Sequence, residues 1–340
     1  MLGDHAKAPD RAEAEALAGR GRFLEAVELG AALNARSRDA ALERALVSWR
    51  RQAFFERHAQ RPVALDPWPS AYANPFPNLV GAIPEAPAAG LTTELLGGAI
   101  VHHGCLLVRG LLDPSAAEEL TRGIDCAVAD ARARLSGGKG NATDGWYWPT
   151  HLPSDRQSEE ALPAARRIAW ARKHTINNDC VLLADSPRIF SQVIALLDRL
   201  GVKQIVGEYL GELPAISVKK SVLRTVAPRE IPGEWHQDGA FLGADKIRTV
   251  NLWLALSDSG ERAPGLDLIP RRFGHLAQTG VDGATFNWSV GHATAMKEAG
   301  AAGYVTPNFI AGDALFFDHW LLHRTTGRPG FTKTRYALEN

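Results

Sequence analysis

His236 and Asp238 are side chains of metal-binding type, separated by a single residue. Successive side chains of a β-strand point to opposite faces, so a His-x-Asp sequence on a strand places the imidazole and the carboxylate on the same face. A distant His from a neighbouring strand would complete a set of two nitrogens and one carboxylate oxygen. That set, with coordination positions left open, is typical of non-haem Fe(II) enzymes. The alternative interpretation of the tripeptide is an incidental His at a polar strand edge.

Two histidines of a distant segment, residues 312–323 (GDALFFDHWLLH), are candidates for the third ligand. His319 and His323 are four residues apart, so strand alternation places both on one face and does not choose between them. Leu315, Phe316 and Leu321 supply apolar neighbours, and a dry surrounding of this kind controls solvent access to a metal centre.

Four elements around these residues resemble, in their order along the chain, the phytanoyl-CoA dioxygenase-like family of Fe(II)/2-oxoglutarate-dependent oxygenases. They are the run Trp235-His236-Gln237-Asp238-Gly239, the strand over residues 250–256, the segment from Gly312-Asp313 to His323, and Arg335 at the start of a strand. The resemblance covers roughly residues 98–340. The match is poor over residues 130–203.

The resemblance implies a ligand set and a group of cosubstrates. The family's spacing from Gly312 selects His323 rather than His319 as the third ligand. The catalytic centre would then be Fe(II) bound by His236, Asp238 and His323, with 2-oxoglutarate and O2 as cosubstrates. The carboxylate of Asp238 is replaced by a small residue in halogenating relatives, so its presence here implies hydroxylation or a related oxidation.

Four further residues are expected to bind 2-oxoglutarate: Arg335, Thr325, Trp253 and Lys219. An Arg fork matches a carboxylate bidentately, which a Lys does not, so the resemblance assigns the far carboxylate to Arg335. A surface Arg on a terminal strand is the alternative, with Arg328 and Lys333 as nearby substitutes. Trp253 is equally well explained as a core residue. For Lys219 the favoured explanation is a solvated strand Lys.

The substrate pocket is expected to be lined by Trp146, Trp148, Phe241 and Arg271. The expected reaction is hydroxylation of an unactivated C–H bond in a small or medium organic metabolite, with release of succinate and CO2. The family commonly has an Asn-Gly-x-Leu-x-x-x-Pro-Gly-Ser-His run. The corresponding residues 263–275 differ from it, because Arg-Arg-Phe-Gly precedes the His in place of Gly-Ser. Two alternatives remain: a catalytically silent barrel that acts as a binding or scaffold protein, and a cupin-type metalloenzyme that does not use 2-oxoglutarate.

The composition narrows the class of partner. Apolar residues make up 45% of the 340 residues and charged residues 22%, and Lys plus Arg equals Asp plus Glu at 38 each. This balance does not favour nucleic acid or an anionic membrane, and no apolar run approaches the ~18 residues of a membrane span. The N-terminus lacks a signal segment, and three scattered cysteines without C-x-x-C spacing indicate the cytoplasm.

Several short strands follow a helical half of the chain. This order predicts an α+β protein with a mainly β core, namely a double-stranded β-helix (a jelly-roll or cupin-like barrel) with flanking helices and an N-terminal helical segment. Residues 99–111 are expected to form a hairpin-like strand pair, and residues 186–210 a single helix.

Three regions are expected along the chain. Residues 1–60 would be an N-terminal helical segment resembling a tetratricopeptide helix pair, which could mediate a homo-oligomer. Residues 61–94 hold a dense set of prolines and would form an extended connector, since proline breaks regular helix. Residues 95–340 would be the oxygenase domain.

Overall fold

The computed structural model describes residues 10–60, 68–138, 144–149, 172–218, 220–242 and 247–340. These residues belong to two compact units. One consists of Met1–Leu65, Cys126–Asn177 and Val181–Leu196, and the other of Asp66–Asp125, Asn178–Cys180 and Leu197–Asn340. The domain limits expected from composition stay a prediction.

The first unit begins with three helices where the sequence predicted a pair: α1 (Arg11–Gly19), α2 (Phe23–Arg36) and α3 (Ala40–Ala59). The extra break lies at Gly21, whose φ of 78° cannot continue a right-handed helix. The three helices share one apolar cluster, formed by Ala14, Ala26, Leu42, Leu46 and Trp49.

Six further helices follow along the chain: α4 (Thr93–His103), α5 (Pro114–Leu135), α6 (Pro187–Arg199), α7 (Val202–Leu210), α8 (Gly239–Leu242) and α9 (His292–Ala299). Residues 172–177 are also helical. The single helix expected over residues 186–210 is divided, because Gly201 between α6 and α7 has a φ of 71°. No helix in the described ranges combines the length and the apolar character that a membrane crossing requires.

The prediction of a hairpin over residues 99–111 was wrong. Its first half is the end of α4, which Thr92 caps by accepting a hydrogen bond from the backbone N–H of Leu95. Its second half is one strand, β2 (Cys105–Arg109). Gly104 separates the two with a φ of 87°, and a Cβ there would lie 2.8 Å from the carbonyl oxygen of Arg271. A short apolar run suits a buried helix and a buried strand equally, so its pattern could not decide.

Nine strands are described: β1 (Glu85–Pro87), β2 (Cys105–Arg109), β3 (Cys180–Leu182), β4 (Val222–Val226), β5 (Asn251–Ala255), β6 (Leu266–Leu268), β7 (Ala314–Phe317), β8 (His323–Thr325) and β9 (Arg335–Glu339). Seven form one sheet in the order β1-β2-β7-β5-β9-β4-β3. The other two, β6 and β8, form a second, antiparallel sheet. Only the β1–β2 pair is parallel among the pairs whose register is described.

The inner faces of the two sheets share one apolar core. Its members from the larger sheet include Cys105, Leu107, Trp253, Ala255, Leu315, Phe317 and Ala337, and those from the smaller sheet are Leu266 and Leu268. The predicted fold class, a double-stranded β-helix with flanking helices, is confirmed.

Strand register places several polar side chains on this same inner face. Arg335, Ala337 and Glu339 alternate along β9, so all three point inward. Arg224 of β4 is the cross-strand partner of Ala337, and Trp253 of β5 is the partner of Glu339. A strip of charged groups therefore runs along one wall of the barrel.

Candidate active site

Three potential metal ligands converge at one end of the barrel. His236, Asp238 and His323 each offer one ligand atom, and these atoms all lie within 4.8 Å of one another. The strand expected over residues 236–238 is reduced to a bridge, in which His236 and His323 exchange both backbone hydrogen bonds, at 2.9 and 3.0 Å. This bridge ties two ligands from distant parts of the sequence directly together.

Both imidazoles are held in the tautomer that a metal requires. Nδ1 of His236 lies 2.9 Å from the carbonyl oxygen of Glu234, and Nδ1 of His323 lies 3.0 Å from that of Leu321. A carbonyl oxygen can only accept, so each Nδ1 carries a proton, and in the neutral imidazole Nε2 then keeps its lone pair. Second partners of this kind fix the orientation of metal-binding imidazoles.

The carboxylate of Asp238 is buried and held by two partners. Nδ2 of Asn251 donates to its Oδ2 at 2.7 Å, and Nζ of Lys220 lies 2.6 Å from the same oxygen. Burial alone would raise the pKa of Asp238, but the charge of Lys220 and the two neighbouring imidazoles lower it to about 2. The carboxylate is therefore ionised and ready to bind a cation.

His323 is also ready to bind. Burial, and then the proximity of His236, lower its pKa to about 4. The neutral imidazole, which is the form that binds metals, is therefore the stable form near neutral pH.

His319, the competing candidate for the third ligand, lies outside this cluster. Its ring stacks with that of Trp68 at 6.4 Å and contacts that of Trp320 at 4.7 Å, while its backbone oxygen accepts a hydrogen bond from Gly239. His323 is thus the histidine that the fold brings to His236 and Asp238.

A cavity of about 290 Å³ opens from the three potential ligands into the barrel. This volume is close to the lower end of the ~300–1,000 Å³ typical of small-molecule sites. Its lining is polar near the ligands and apolar along part of the wall: Lys220, Arg224, His236, Asp238, Phe241, Asn251, Leu252, Trp253, Leu266, Phe317, His323, Thr325, Glu339 and Asn340.

Arg335 lies behind this lining and is completely buried. Its Nη1 donates to the carbonyl oxygen of Gly265 at 3.0 Å, and its Nη2 donates to Oε1 of Glu339 at 3.3 Å. The guanidinium stacks on Trp253, with 5.4 Å between its Cζ and the ring centroid. Burial lowers the pKa of Arg335 to about 10, so it remains a cation at neutral pH.

Besides Nε of Arg224, which forms an ion pair with Glu339, two buried donors at this end have no hydrogen-bond partner among the described residues: Nε of Arg335 and the indole Nε1 of Trp253. Unpaired buried donors are rare in folded proteins and call for an explanation. A carboxylate bound beside Arg335 would satisfy them. The cavity therefore matches 2-oxoglutarate in its chemistry, because it has potential metal ligands at one end and cationic and N–H donors at the other.

The remaining predicted cosubstrate residues are placed as follows. Thr325 lines the cavity, two residues after His323 on β8. Lys219 lies outside the described residues, whereas its neighbour Lys220 lines the cavity and contacts Asp238.

Of the four predicted substrate residues, Phe241 and Arg271 belong to the same compact unit as the potential metal ligands. Phe241 lines the cavity, with its ring 6.3 Å from that of His236. Arg271 does not line it, because its guanidinium pairs with Glu298 at 3.3 Å. Trp146 and Trp148 belong to the other compact unit, where Arg188 stacks on Trp146 and both Arg44 and Arg134 stack on Trp148.

An aromatic wall beside the cavity is formed by Phe241, Phe286 and Trp288, and the sequence did not indicate it. Phe286 stacks on Trp288 at 5.0 Å, and Trp288 meets both Phe241 and His236 edge-on, at 5.9 and 5.7 Å. Phe241 and Phe286 are each 48% exposed, so this wall presents apolar surface to solvent. Phe286 and Trp288 lie outside the regular elements, so no periodic pattern could have indicated them.

Replacement of Asn251 by Leu should weaken binding of a divalent metal by ~10–100-fold, because the variant loses the hydrogen bond that orients the Asp238 carboxylate. Calorimetric titration with Mn(II) measures this directly. Thr306→Val is a matched control, since it removes a 2.8 Å hydrogen bond from another buried carboxylate, that of Asp267, outside the cavity. Equal metal affinity in Asn251→Leu and the unsubstituted protein would show that Asn251 does not position the ligand.

Comparisons with known proteins identify a family whose model matches this chain and several solved structures that are distantly similar to it. The family model described as phytanoyl-CoA dioxygenase (PhyH) matches residues 100–328, which is more than half of the chain. No curated protein matches the chain.

Three solved structures illustrate the structural likeness. AviO1 from Streptomyces viridochromogenes Tue57 is 16% identical, with 71% of this chain and 89% of that chain covered and a TM-score of 0.37. EvdO2 from Micromonospora carbonacea var. aurantiaca, complexed with 2-oxoglutarate, is 15% identical, with coverages of 70% and 84% and a TM-score of 0.40. EctD from S. alaskensis, with 2-oxoglutarate and 5-hydroxyectoine, is 17% identical, with coverages of 70% and 71% and a TM-score of 0.40. These likenesses are distant, and the family assignment rests on the family model alone.

Proposed function

The chain belongs to the phytanoyl-CoA dioxygenase family and is an Fe(II)/2-oxoglutarate-dependent oxygenase, and from this premise we propose that it hydroxylates an unactivated C–H bond of a small or medium organic metabolite. The carrying observation is the convergence of His236, Asp238 and His323 at the head of a cavity whose far end is cationic. Succinate and CO2 are the proposed coproducts.

The proposed roles of the residues follow from their positions. His236, Asp238 and His323 would hold the iron, which together with 2-oxoglutarate would supply the chemistry that activates O2. The two imidazoles bind through Nε2, because Nδ1 of each is committed to a backbone carbonyl. Asn251 keeps the Asp238 carboxylate in place.

The other end of the cavity would orient the cosubstrate. Arg335, with its unpaired Nε, is the proposed partner of the far carboxylate, and the Thr325 hydroxyl is a proposed additional donor. Trp253 supports the guanidinium by stacking and offers its indole N–H. Phe317, whose ring lies 4.9 Å from that of His323, and Leu266 shield the ligand end from water.

The substrate is proposed to lie against the aromatic wall. Phe241 is the one predicted substrate residue that borders the cavity, and Trp288 connects it to His236. An apolar or aromatic group of the substrate would pack on these rings. Trp146, Trp148 and Arg271 have no support from the cavity lining and remain sequence predictions.

Two further parts of the proposal concern location and assembly. We infer a cytoplasmic location, because Cys105, Cys126 and Cys180 are all free thiols. A homo-oligomer formed through the N-terminal helices remains a proposal, for which size-exclusion chromatography with light scattering is the direct measurement.

The function is tested by supplying the protein with Fe(II), 2-oxoglutarate, O2 and a library of small metabolites. Succinate production should rise above the substrate-free rate for the true substrate, whose product should gain the mass of one oxygen atom. His323→Ala is the inactive control. Substrate-dependent succinate without an oxygenated product would reject hydroxylation in favour of another oxidation, such as desaturation. A chlorinated product in chloride buffer would contradict the proposal, since Asp238 occupies the position that halide needs.

A further inference from the structure

Glu339 lies at the cationic end of the cavity and pairs with two arginines. Nε of Arg224 lies 2.8 Å from its Oε2, and Nη2 of Arg335 donates to its Oε1 at 3.3 Å. Glu339 lines the cavity, whereas Arg335 has no exposed surface and is absent from the lining. The side chain of Glu339 therefore stands between the cavity and the arginine to which the cosubstrate carboxylate is assigned.

The guanidinium of Arg335 does not use all of its N–H donors in this arrangement. Nη1 is committed to the carbonyl oxygen of Gly265, but Nε has no partner among the described residues. Nε and Nη2 form the edge that pairs with carboxylates bidentately. Glu339 takes only half of that edge, and its 3.3 Å bond is long compared with the ~2.7–2.9 Å of a strong charge-assisted bond. A better placed carboxylate could replace it.

The charges at this end make such a replacement necessary. Burial would raise the pKa of Glu339, but Arg224, Arg335 and Lys220 keep it below its usual range, so Glu339 is a carboxylate at neutral pH. A second carboxylate beside Arg335 would meet this negative charge at close range. Like charges in a partly dry cavity repel each other at contact distances. The two carboxylates cannot both hold Arg335 at full strength.

We propose that Glu339 is an internal competitor of 2-oxoglutarate, which holds Arg335 in the cosubstrate-free enzyme and is displaced from it by the far carboxylate of 2-oxoglutarate. This inference rests on the proposed cosubstrate role of Arg335. Arg224 is the second partner in the exchange, since it can keep Glu339 as its counter-ion when Arg335 changes carboxylates. Departure of succinate reverses the exchange, because Glu339 returns to Arg335 and neutralises the cation that the product leaves behind.

The proposal makes Glu339 a residue that weakens cosubstrate and product binding. In Glu339→Gln, the negative charge is removed while the side-chain shape is kept. The dissociation constant of 2-oxoglutarate in the Mn(II)-loaded protein should fall by about tenfold, as expected from relief of a like-charge contact. The inhibition constant of succinate should fall in parallel, because the product carries the same far carboxylate.

Calorimetry of 2-oxoglutarate binding to the Mn(II)-loaded protein, without substrate, is the primary experiment. Glu298→Gln is the matched control, since it removes the partner of Arg271 outside the cavity and should leave 2-oxoglutarate affinity unchanged. Glu339→Asp is a second variant that keeps the charge but shortens the reach to Arg335. It should also tighten 2-oxoglutarate binding, by a smaller factor, and it tests the proposal if Glu339→Gln does not fold.

The outcomes separate this inference from the proposed function. Tighter binding in Glu339→Gln, or in Glu339→Asp where only that variant folds, supports the competitor role. Affinity that is unchanged or weaker in the folded variants overturns it and makes Glu339 a support for Arg335 instead. Absence of 2-oxoglutarate binding to the unsubstituted Mn(II) protein would instead reject the proposed function.

Discussion

His236→Ala, Asp238→Ala and His323→Ala should each abolish turnover and weaken metal binding by more than ~100-fold, because a site of three protein ligands cannot lose one and keep its geometry. The measurement is metal content after loading with Fe(II) under anaerobic conditions, combined with succinate production. Circular dichroism should show that each variant retains the fold, since the ligands lie at the edge of a cavity.

His319→Ala is the matched control, four residues before His323 on the same segment and outside the ligand cluster. It should bind the metal as the unsubstituted protein does, even if the loss of a buried ring lowers the thermal stability. Loss of metal in His319→Ala together with normal binding in His323→Ala would show that the third ligand is wrongly assigned.

Arg335→Met should weaken 2-oxoglutarate by well over tenfold while leaving Mn(II) affinity unchanged. Met keeps much of the volume and removes the charge, and loss of a charge-assisted bidentate pair with a buried partner costs about 2–5 kcal/mol. Calorimetry with Mn(II) alone and then with Mn(II) and 2-oxoglutarate separates the two affinities.

Arg328→Met is the control for Arg335. Arg328 is exposed and donates to the carbonyl oxygens of Gly260 and Glu261, so its loss should not affect the cosubstrate. If 2-oxoglutarate bound Arg335→Met as tightly as the unsubstituted protein, the carboxylate would have to be held by Arg224, the arginine that lines the cavity directly.

The ligand cluster could be predicted because it depends on a short motif, His-x-Asp, and on one fixed spacing along the chain. His-x-Asp puts two potential ligands close together in the sequence, although residues 236–238 form a bridge and a turn rather than the expected strand. The position of His323 followed from the family's spacing after Gly312. Alternation alone could not choose between His319 and His323. The choice became clear only when the backbone bridge from His236 to His323 was seen.

The partners of the ligands were harder to predict. Asn251 and Glu339 share strand faces with Trp253 and Arg335, so the same alternation could have indicated both. Lys220, the neighbour of the predicted Lys219, contacts Asp238, and the described residues of the range 211–221 contain no regular strand whose alternation could have indicated this contact. Trp288 lies in a loop, and its place beside His236 depends on tertiary packing.

The fold class was predicted from the sequence of elements, while the boundaries were less accurate. The run of apolar residues at 99–108 is compatible with helix and strand, and the positive φ of Gly104 decided between them. In the N-terminal region, the break at Gly21 converted the expected helix pair into three helices.

The central claim is that His236, Asp238 and His323 would hold one ferrous iron to which 2-oxoglutarate binds in this cavity. Anaerobic titration of the protein with Fe(II) in the presence of 2-oxoglutarate, followed by visible absorption, tests it most directly, since the iron-to-keto-acid charge-transfer band requires both groups at one site. We expect a band that saturates at one iron per chain and is lost in His323→Ala. No band in the unsubstituted protein, or an equal band in His323→Ala, would contradict it.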